Sequence, residues 1–345
     1  MSLIKINNIT NRNGDTGPII AGVATVTSTS HMVMPSGPTE MRGGRGRCVA
    51  AGGASPTYMK NCEKIEIATL GNATTFGELS GVRAAMDGCS SSTRGVIGGG
   101  GTPSNTNIIE YITMSSEGGA NDFGDLTFAR QYVASANSST RGLFMNSYSP
   151  MTNSMEFITI ASTGDATDFG DSTAARQADS GTSSPTRAVV PGGEGLAGNS
   201  HNPNASTASP FAENLIDFVT IATLGNAQDF GDRSVAGWGV GSNGNNTRGI
   251  FFGVTPSRTN IIDFITIAAK GNSTDFGDLL QGNGYLSGAS SQTRSLMVGG
   301  TTPSTINVIQ FVTISTTGDA ADFGDLNTQR ARAAVFSDSN GGLGD

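Results

Sequence analysis

Asn121-Asp122-Phe123-Gly124-Asp125 follows the run Asn107-Ile108-Ile109-Glu110-Tyr111-Ile112-Thr113-Met114 after a short Gly-containing turn, and this succession decides the fold because it is repeated. Thr74-Thr75-Phe76-Gly77-Glu78 is an earlier copy, and later copies centre on Phe169, Phe230, Phe276 and Phe323. The six phenylalanines are separated by 47, 46, 61, 46 and 47 residues. A second marker, an Arg opening a short apolar run, falls at Arg47, Arg94, Arg141, Arg187, Arg248 and Arg294, with intervals of 47, 47, 46, 61 and 46. The two series share one period, and the long interval in each places one insertion, about 191–213, in the fourth repeat.

Each repeat divides into four strand-length pieces. The first runs from the Arg to a double Gly, as in Arg94 to Gly99. The second is the β-branched and aromatic run of Asn107 to Met114, apolar on both faces, as expected of a strand covered on two sides. The third is the Asp-Phe-Gly-Asp segment, and the fourth, such as Ala129 to Ala136, leads through a Ser-Ser-Thr turn to the next Arg. Four short strands per 40 to 50 residues, with a double Gly in each unit, are the pattern of a β-propeller. Six units predict an all-β fold, a six-bladed propeller of four-stranded blades. The last repeat runs on through Arg330 to Phe336, which matches Ala129 to Ala136, so a C-terminal strand is expected to complete the first blade and close the ring. The propeller is assigned to 45–338, with 1–44 as an N-terminal docking or oligomerisation arm and 339–345 as a C-terminal tail.

Composition agrees. Glycine contributes 49 of 345 residues, about twice the usual share of roughly 7%, and each interior Gly would cost a helix about 1 kcal/mol relative to Ala. The net charge of −8 and a pI near 4.8 disfavour nucleic-acid binding, which needs a basic stripe. No apolar stretch approaches the 18 residues of a membrane span. The three cysteines, Cys48, Cys62 and Cys89, have no C-x-x-C spacing, and the opening Met-Ser-Leu-Ile-Lys-Ile lacks secretory-leader features, so reduced cytoplasmic synthesis is expected.

The Asp pairs Asp122/Asp125, Asp168/Asp171 and Asp275/Asp278, with their counterparts in two further repeats, could suggest calcium loops or catalytic carboxylates. Recurrence in five repeats favours scaffold over active site. The six Arg and the recurrent carboxylates match one ion pair per blade, so Arg94 and its equivalents are expected to tie the Asp-Phe-Gly-Asp turn. A second acidic series, Glu63, Glu110, Glu156, Asp217, Asp263 and Gln310, ends in Gln, which keeps an acceptor without charge and points to structural hydrogen bonding. Two histidines, His31 and His201, do not assemble a catalytic set, and Gly98 to Gly101 lacks the Lys and the helix of a phosphate loop. The expectation is therefore no enzyme, no metal and no cofactor.

Function is sought where repeats differ. The insertion carries His201 and Phe211, and the third repeat replaces the double Gly with Met145 to Met151, placing Tyr148 and Met151 on the loop. His201, Phe211, Tyr148 and Met151 are the candidate contact residues. Trp238, the only Trp, suits internal packing, with sugar stacking as the other reading.

The double-Gly strand ends resemble kelch repeats, without their Tyr and Trp spacing. Met34-Pro35-Ser36-Gly37-Pro38-Thr39-Glu40, the Arg42 to Arg47 segment, and the repeated Ile-Thr-Ile-Ala, Asp-Phe-Gly-Asp-Leu and Ser-Ser-x-Thr-Arg-Gly strings resemble virion structural, tail-fibre-like proteins of contractile-tailed phages of marine cyanobacteria, over about Gly17 to Val335. The resemblance implies a particle component assembled in the bacterial cytoplasm. Residues 1–44 would meet other virion proteins or a second copy of the chain, and the propeller would meet a host-surface glycan or protein. A purely architectural decoration or adaptor is the other reading, and a polysaccharide-degrading enzyme a third.

Overall fold

The alternation of β-branched runs with Gly-rich turns produces six antiparallel sheets arranged as blades around one axis. The computed structural model describes residues 46–177, 180–195 and 211–343. The arm 1–44 therefore lies outside the described residues. In blade 1 the strands, from axis to rim, are Ala334–Ser337, Arg47–Ala51, Met59–Glu66 and Thr74–Arg83. The innermost strands of the other blades are Asp87–Ser90, Ala134–Asn137, Thr182–Ser183, Gly241–Gly244 and Ser287–Ser290. Each innermost strand meets its neighbours, and the last meets Ala334–Ser337, so the ring is closed.

Closure occurs as the repeat register requires. Ala334–Ser337 pairs antiparallel with Arg47–Ala51, setting Cys48 opposite Ser337 and Ala51 opposite Ala334. Residues 339–343 do not extend away as a tail. A single 3-10 turn, Gly341–Leu343, is buried at one mouth of the axis, and Asn340 donates to the Ser90 hydroxyl at 2.8 Å.

The core is distributed over the six blade junctions, because each blade is covered on both faces by its neighbours. Between blades 1 and 2, for example, Val49, Phe76 and Leu79 pack with Ile112, Met114 and Phe336. The three thiols are buried and unpaired. Burial pushes the Cys62 thiol up to about 12, and those of Cys48 and Cys89 upward as well.

The recurrent motifs act mainly between blades. The backbone N–H after Phe123-Gly124 donates to Asp165 Oδ1 in the next blade at 3.0 Å, and Asp171 to Asn226, Asp232 to Asn272, Asp278 to Asp319 and Asp325 to Asn72 repeat the contact. This is the role of the Gly-Asn or Gly-Asp turn. The carboxylates of Asp122, Asp125, Asp168, Asp171, Asp275 and Asp278 are exposed, whereas Phe123 is buried.

The expected pairing of those carboxylates with the strand-opening arginines is not what forms. Nη1 of Arg47, Arg94, Arg141, Arg187, Arg248 and Arg294 donates instead to a backbone carbonyl of the following blade, that of Met114, Ile160, Ile221, Ile267, Ile314 and Ile67, at 2.7–3.0 Å. Five of these guanidinium groups also lie over a ring of their own blade, 4.3 Å from Tyr111 for Arg94 and 5.0 Å from Phe311 for Arg294. A planar cation satisfies both an aromatic face and a carbonyl, and the Asp side chains stay in water because that costs them no desolvation.

The buried ion pairs belong to another arginine series. Arg83, Arg130, Arg176, Arg233 and Arg330 pair with Glu110, Glu156, Asp217, Asp263 and Glu63 of the next blade, all with side chains at most 3% exposed. At the remaining junction Asn283 faces the blade carrying Gln310, whose Oε1 accepts the Leu280 N–H at 2.8 Å. The structural hydrogen-bonding role expected for the second acidic series is thus the one observed.

Glycine is required where blades touch backbone to backbone. Gly124 has φ +145°, and a Cβ there would lie 2.5 Å from the carbonyl carbon of Gly164 in the next blade. Gly124→Ala is expected to cost about 2–3 kcal/mol from collision and backbone strain, measured by urea denaturation. Gly81→Ala, where nothing lies within 4 Å of the new Cβ, serves as the control. Equal stability of the two variants would contradict the contact.

Candidate functional site

One axial face is built from the hairpin loops between the second and third strands and from the connections that carry the chain to the next blade. Bridges tie the two sets together: Ala84 with Gly101, Gln131 with Tyr148, Trp238 with Thr255, Gly284 with Thr301 and Ala331 with Ala54. The residue nine positions after each motif Phe then turns at the axis. Ala85, Tyr132, Gly239, Tyr285 and Arg332 occupy this position with φ between 55° and 64°, while the sixth, Ala178, lies outside the described residues.

Their backbones form successive links around the mouth. Tyr132 N–H donates to Ala85 O at 2.7 Å, Ala85 to Arg332 at 2.9 Å, Arg332 to Tyr285 at 3.2 Å and Tyr285 to Gly239 at 2.8 Å. The backbone is the same at the five described positions; the side chains are not. Gly239 shows that glycine meets the geometry without strain, so the left-handed Tyr132, Tyr285 and Arg332 each carry a cost of order 1 kcal/mol in order to place large side chains here.

Those side chains converge. The rings of Tyr132 and Tyr285 are 6.4 Å apart, and Tyr148 meets Tyr132 edge to face at 5.9 Å. The Arg332 guanidinium lies 4.1 Å from the Tyr285 ring centre and 5.4 Å from that of Tyr132. Trp238 Nε1 donates to the Tyr285 hydroxyl at 3.1 Å. Beneath them is a recess of about 10 Å³ floored by Met86, Val133 and Leu286. A cavity of about 40 Å³ lies along the axis, lined by Asn137, Ser183, Asn243 and Ser290 among others, and Asn340 and Gly341 stand at the other mouth. The axis therefore holds a small cavity of mixed polar and apolar lining, with one aromatic and one self-plugged end.

The described ends of the insertion stand on the aromatic face. Arg187–Gly195 and Phe211–Thr220 extend the second and third strands of blade 4, with Glu194 opposite Ala212 and Gly195 opposite Phe211. Burial raises the Glu194 carboxyl above the ordinary carboxylate range. His201 lies outside the described residues, and Phe211 is placed as the first residue of the returning strand. Tyr148 is 41% exposed and Met151 half-buried on the same blade 3 loop. Trp238 is half-buried, between the packing and the stacking readings.

Tyr132, Tyr285 and Arg332 were not among the residues selected from the sequence. The signal was there, in the column Ala85, Tyr132, Ala178, Gly239, Tyr285, Arg332, nine residues after each Phe. It was hidden because the period draws attention to what recurs. Among the described residues no three His, Cys, Asp or Glu cluster as metal ligands would, and no helix is long and apolar enough to cross a membrane. The chain matches no protein-family profile and no curated protein; what stands on its geometry is a six-bladed β-propeller.

Proposed function

We propose that this protein is a non-enzymatic recognition module, a tail-fibre-like component of a phage virion that adheres to the host surface through the aromatic axial face. The observation that carries the recognition reading is convergence. Tyr148, the blade 4 hairpin, Trp238, Tyr285 and Arg332 depart from the repeat at five separate places in the chain, and all meet on one face. The virion assignment rests on the sequence resemblance. Gly46, the first described residue, lies at the opposite face, where its carbonyl accepts from the Ile67 N–H, so attachment through this end would leave the aromatic face clear. Weak contacts would suffice, since several copies on one particle give avidity.

The test is adherence of the fluorescently labelled full chain to cyanobacterial host cells. Tyr132→Ala with Tyr285→Ala is expected to reduce adherence at least tenfold, while Asp275→Asn with Asp278→Asn, on the exposed rim, leaves it unchanged. Failure of the unaltered chain to adhere, together with particles that infect normally when carrying the tyrosine variant, would replace recognition by the architectural reading.

A further inference from the structure

The distribution of charge on the aromatic face selects a class of ligand. The chain carries 28 Asp and Glu against 20 Lys and Arg. Even so, the hairpin loops of this face, residues 52–58, 99–106, 146–152, 253–260 and 299–306, contain no acidic residue. Neither do the connections 80–86, 127–133, 234–240, 280–286 and 327–333; the sixth, 173–179, carries Asp179, which lies outside the described residues. In the described part of the blade 4 hairpin, both Glu194 and Glu213 are buried. Carboxylates collect elsewhere, in the turns of the opposite face at Glu117, Asp165 and Asp319 and along the rim in the Asp-Phe-Gly-Asp pairs.

A second cation of this face, Arg258, is exposed on the blade 5 hairpin; Arg332 is the one placed at the axis among the aromatic rings. Arg83, Arg130 and Arg330 on the same connections are buried against carboxylates of the next blade, whereas Arg332 is only half-buried at the axis. Among the described residues its guanidinium is held by the rings of Tyr132 and Tyr285 alone. Stacking fixes the plane of the cation and leaves its N–H edge for an external acceptor. Flat aromatic faces beside an oriented guanidinium suit a ligand that is a ring with aliphatic C–H faces on one side and an anionic group on its rim. A carboxylated or sulfated hexose has that chemistry. A neutral sugar would leave the charge unused, and an acidic peptide would lack the flat face.

We propose that the aromatic axial face binds an anionic sugar residue of a polysaccharide, a uronate or a sulfated hexose, with its ring against Tyr132, Tyr285 and Trp238 and its anionic group on Arg332. The inference rests on the recognition reading above and names its ligand class. A charge-assisted, planar pair with a guanidinium is among the stronger hydrogen-bonded contacts, so its removal is read as at least a tenfold loss of affinity.

The full chain is titrated with tetragalacturonate, with a sulfated carrageenan tetrasaccharide and with cellotetraose, read by calorimetry and by the fluorescence of Trp238, the sole tryptophan. The expected result is binding of one or both anionic sugars at least tenfold tighter than cellotetraose, weakened by added salt, with the two anionic arms separating carboxylate from sulfate. Arg332→Gln should erase the preference without changing the melting temperature, and Arg332→Lys should restore part of it. Equal or tighter binding of cellotetraose, an anionic affinity unchanged in Arg332→Gln, or no binding of either anionic sugar at millimolar concentration would each overturn the proposal. Failure of the ligand class is distinguishable from failure of recognition. If the unaltered chain adheres to host cells and neither anionic sugar competes, the ligand class falls and recognition stands; a chain that binds no cells removes the recognition reading itself.

Discussion

A chain ending at Ala333 is expected to lose cooperative folding, although it still contains all six Asp-Phe-Gly-Asp type motifs. Removal of Ala334–Ser337 strips the axial strand from blade 1 and exposes the edge of Arg47–Ala51, which pairs with it from Cys48 to Ala51. Val335 and Phe336 are buried, and each such side chain contributes about 1.5–3 kcal/mol through burial alone. Phe336 also fills the space above Gly88 and Gly95 of blade 2, where a Cβ would collide with its ring. One strand therefore joins blade 1 internally and to its neighbour. Its loss is comparable with the total stability of an ordinary domain, about 5–15 kcal/mol, and leaves an unpaired edge open to association. Circular dichroism and thermal melting check the outcome. A chain ending at Asp338, which keeps the strand and loses the plug around Asn340, should melt lower than the full chain and still cooperatively. A chain ending at Ala333 that melts within a few degrees of the full length would contradict this account of closure.

The second large effect is expected at a buried ion pair. Arg130 and Glu156 lie 3.2 Å apart across the junction of blades 2 and 3, with side chains 0% and 1% exposed. Burial pulls the Arg130 guanidinium down to about 10, and the Glu156 charge opposes the shift. Glu156 also accepts the Thr127 backbone N–H at 3.0 Å. Glu156→Ala removes both acceptors and strands a cation in the junction, so a loss of about 3–5 kcal/mol is expected. The molecule itself contains the neutral counterpart. At the junction of blades 5 and 6 Gln310 keeps the backbone acceptor, and Asn283 donates to Gly299 O at 3.0 Å. Arg130→Asn combined with Glu156→Gln should therefore recover most of the stability lost in Glu156→Ala. Denaturant unfolding of the single and double variants gives the coupling. A double variant less stable than Glu156→Ala would contradict the equivalence of the junctions.

The second arginine series was within reach of the same reading that found the first. Arg83, Arg130, Arg176, Asn283 and Arg330 all stand seven residues after their motif Phe. Blade 4 breaks the column, with Gly237 in that place and the pairing cation supplied by Arg233, three residues after Phe230. What misdirected the pairing of Arg94 and its equivalents was stoichiometry. One Arg and one exposed carboxylate per blade satisfy a count, but only space decides which of them meet, and the Asp side chains remain in water.

The sequence by itself determined the number of blades, the order of strands within each and the closure by the C-terminal strand. Those follow from a period, and a period is carried by local features: β-branched runs, Gly at strand ends and turns at fixed intervals. The aromatic mouth was decided only by the tertiary structure. Tyr132, Tyr148, Trp238, Tyr285 and Arg332 are separated by tens to hundreds of residues, and none has a local pattern that marks it. Tyr132, Tyr285 and Arg332 meet because each of their blades turns the same backbone position toward one axis, and Tyr148 and Trp238 join them from the adjoining loop and connection, so positions remote in the chain become neighbours around a ring. Periodicity in one dimension becomes proximity in three only after the ring has closed.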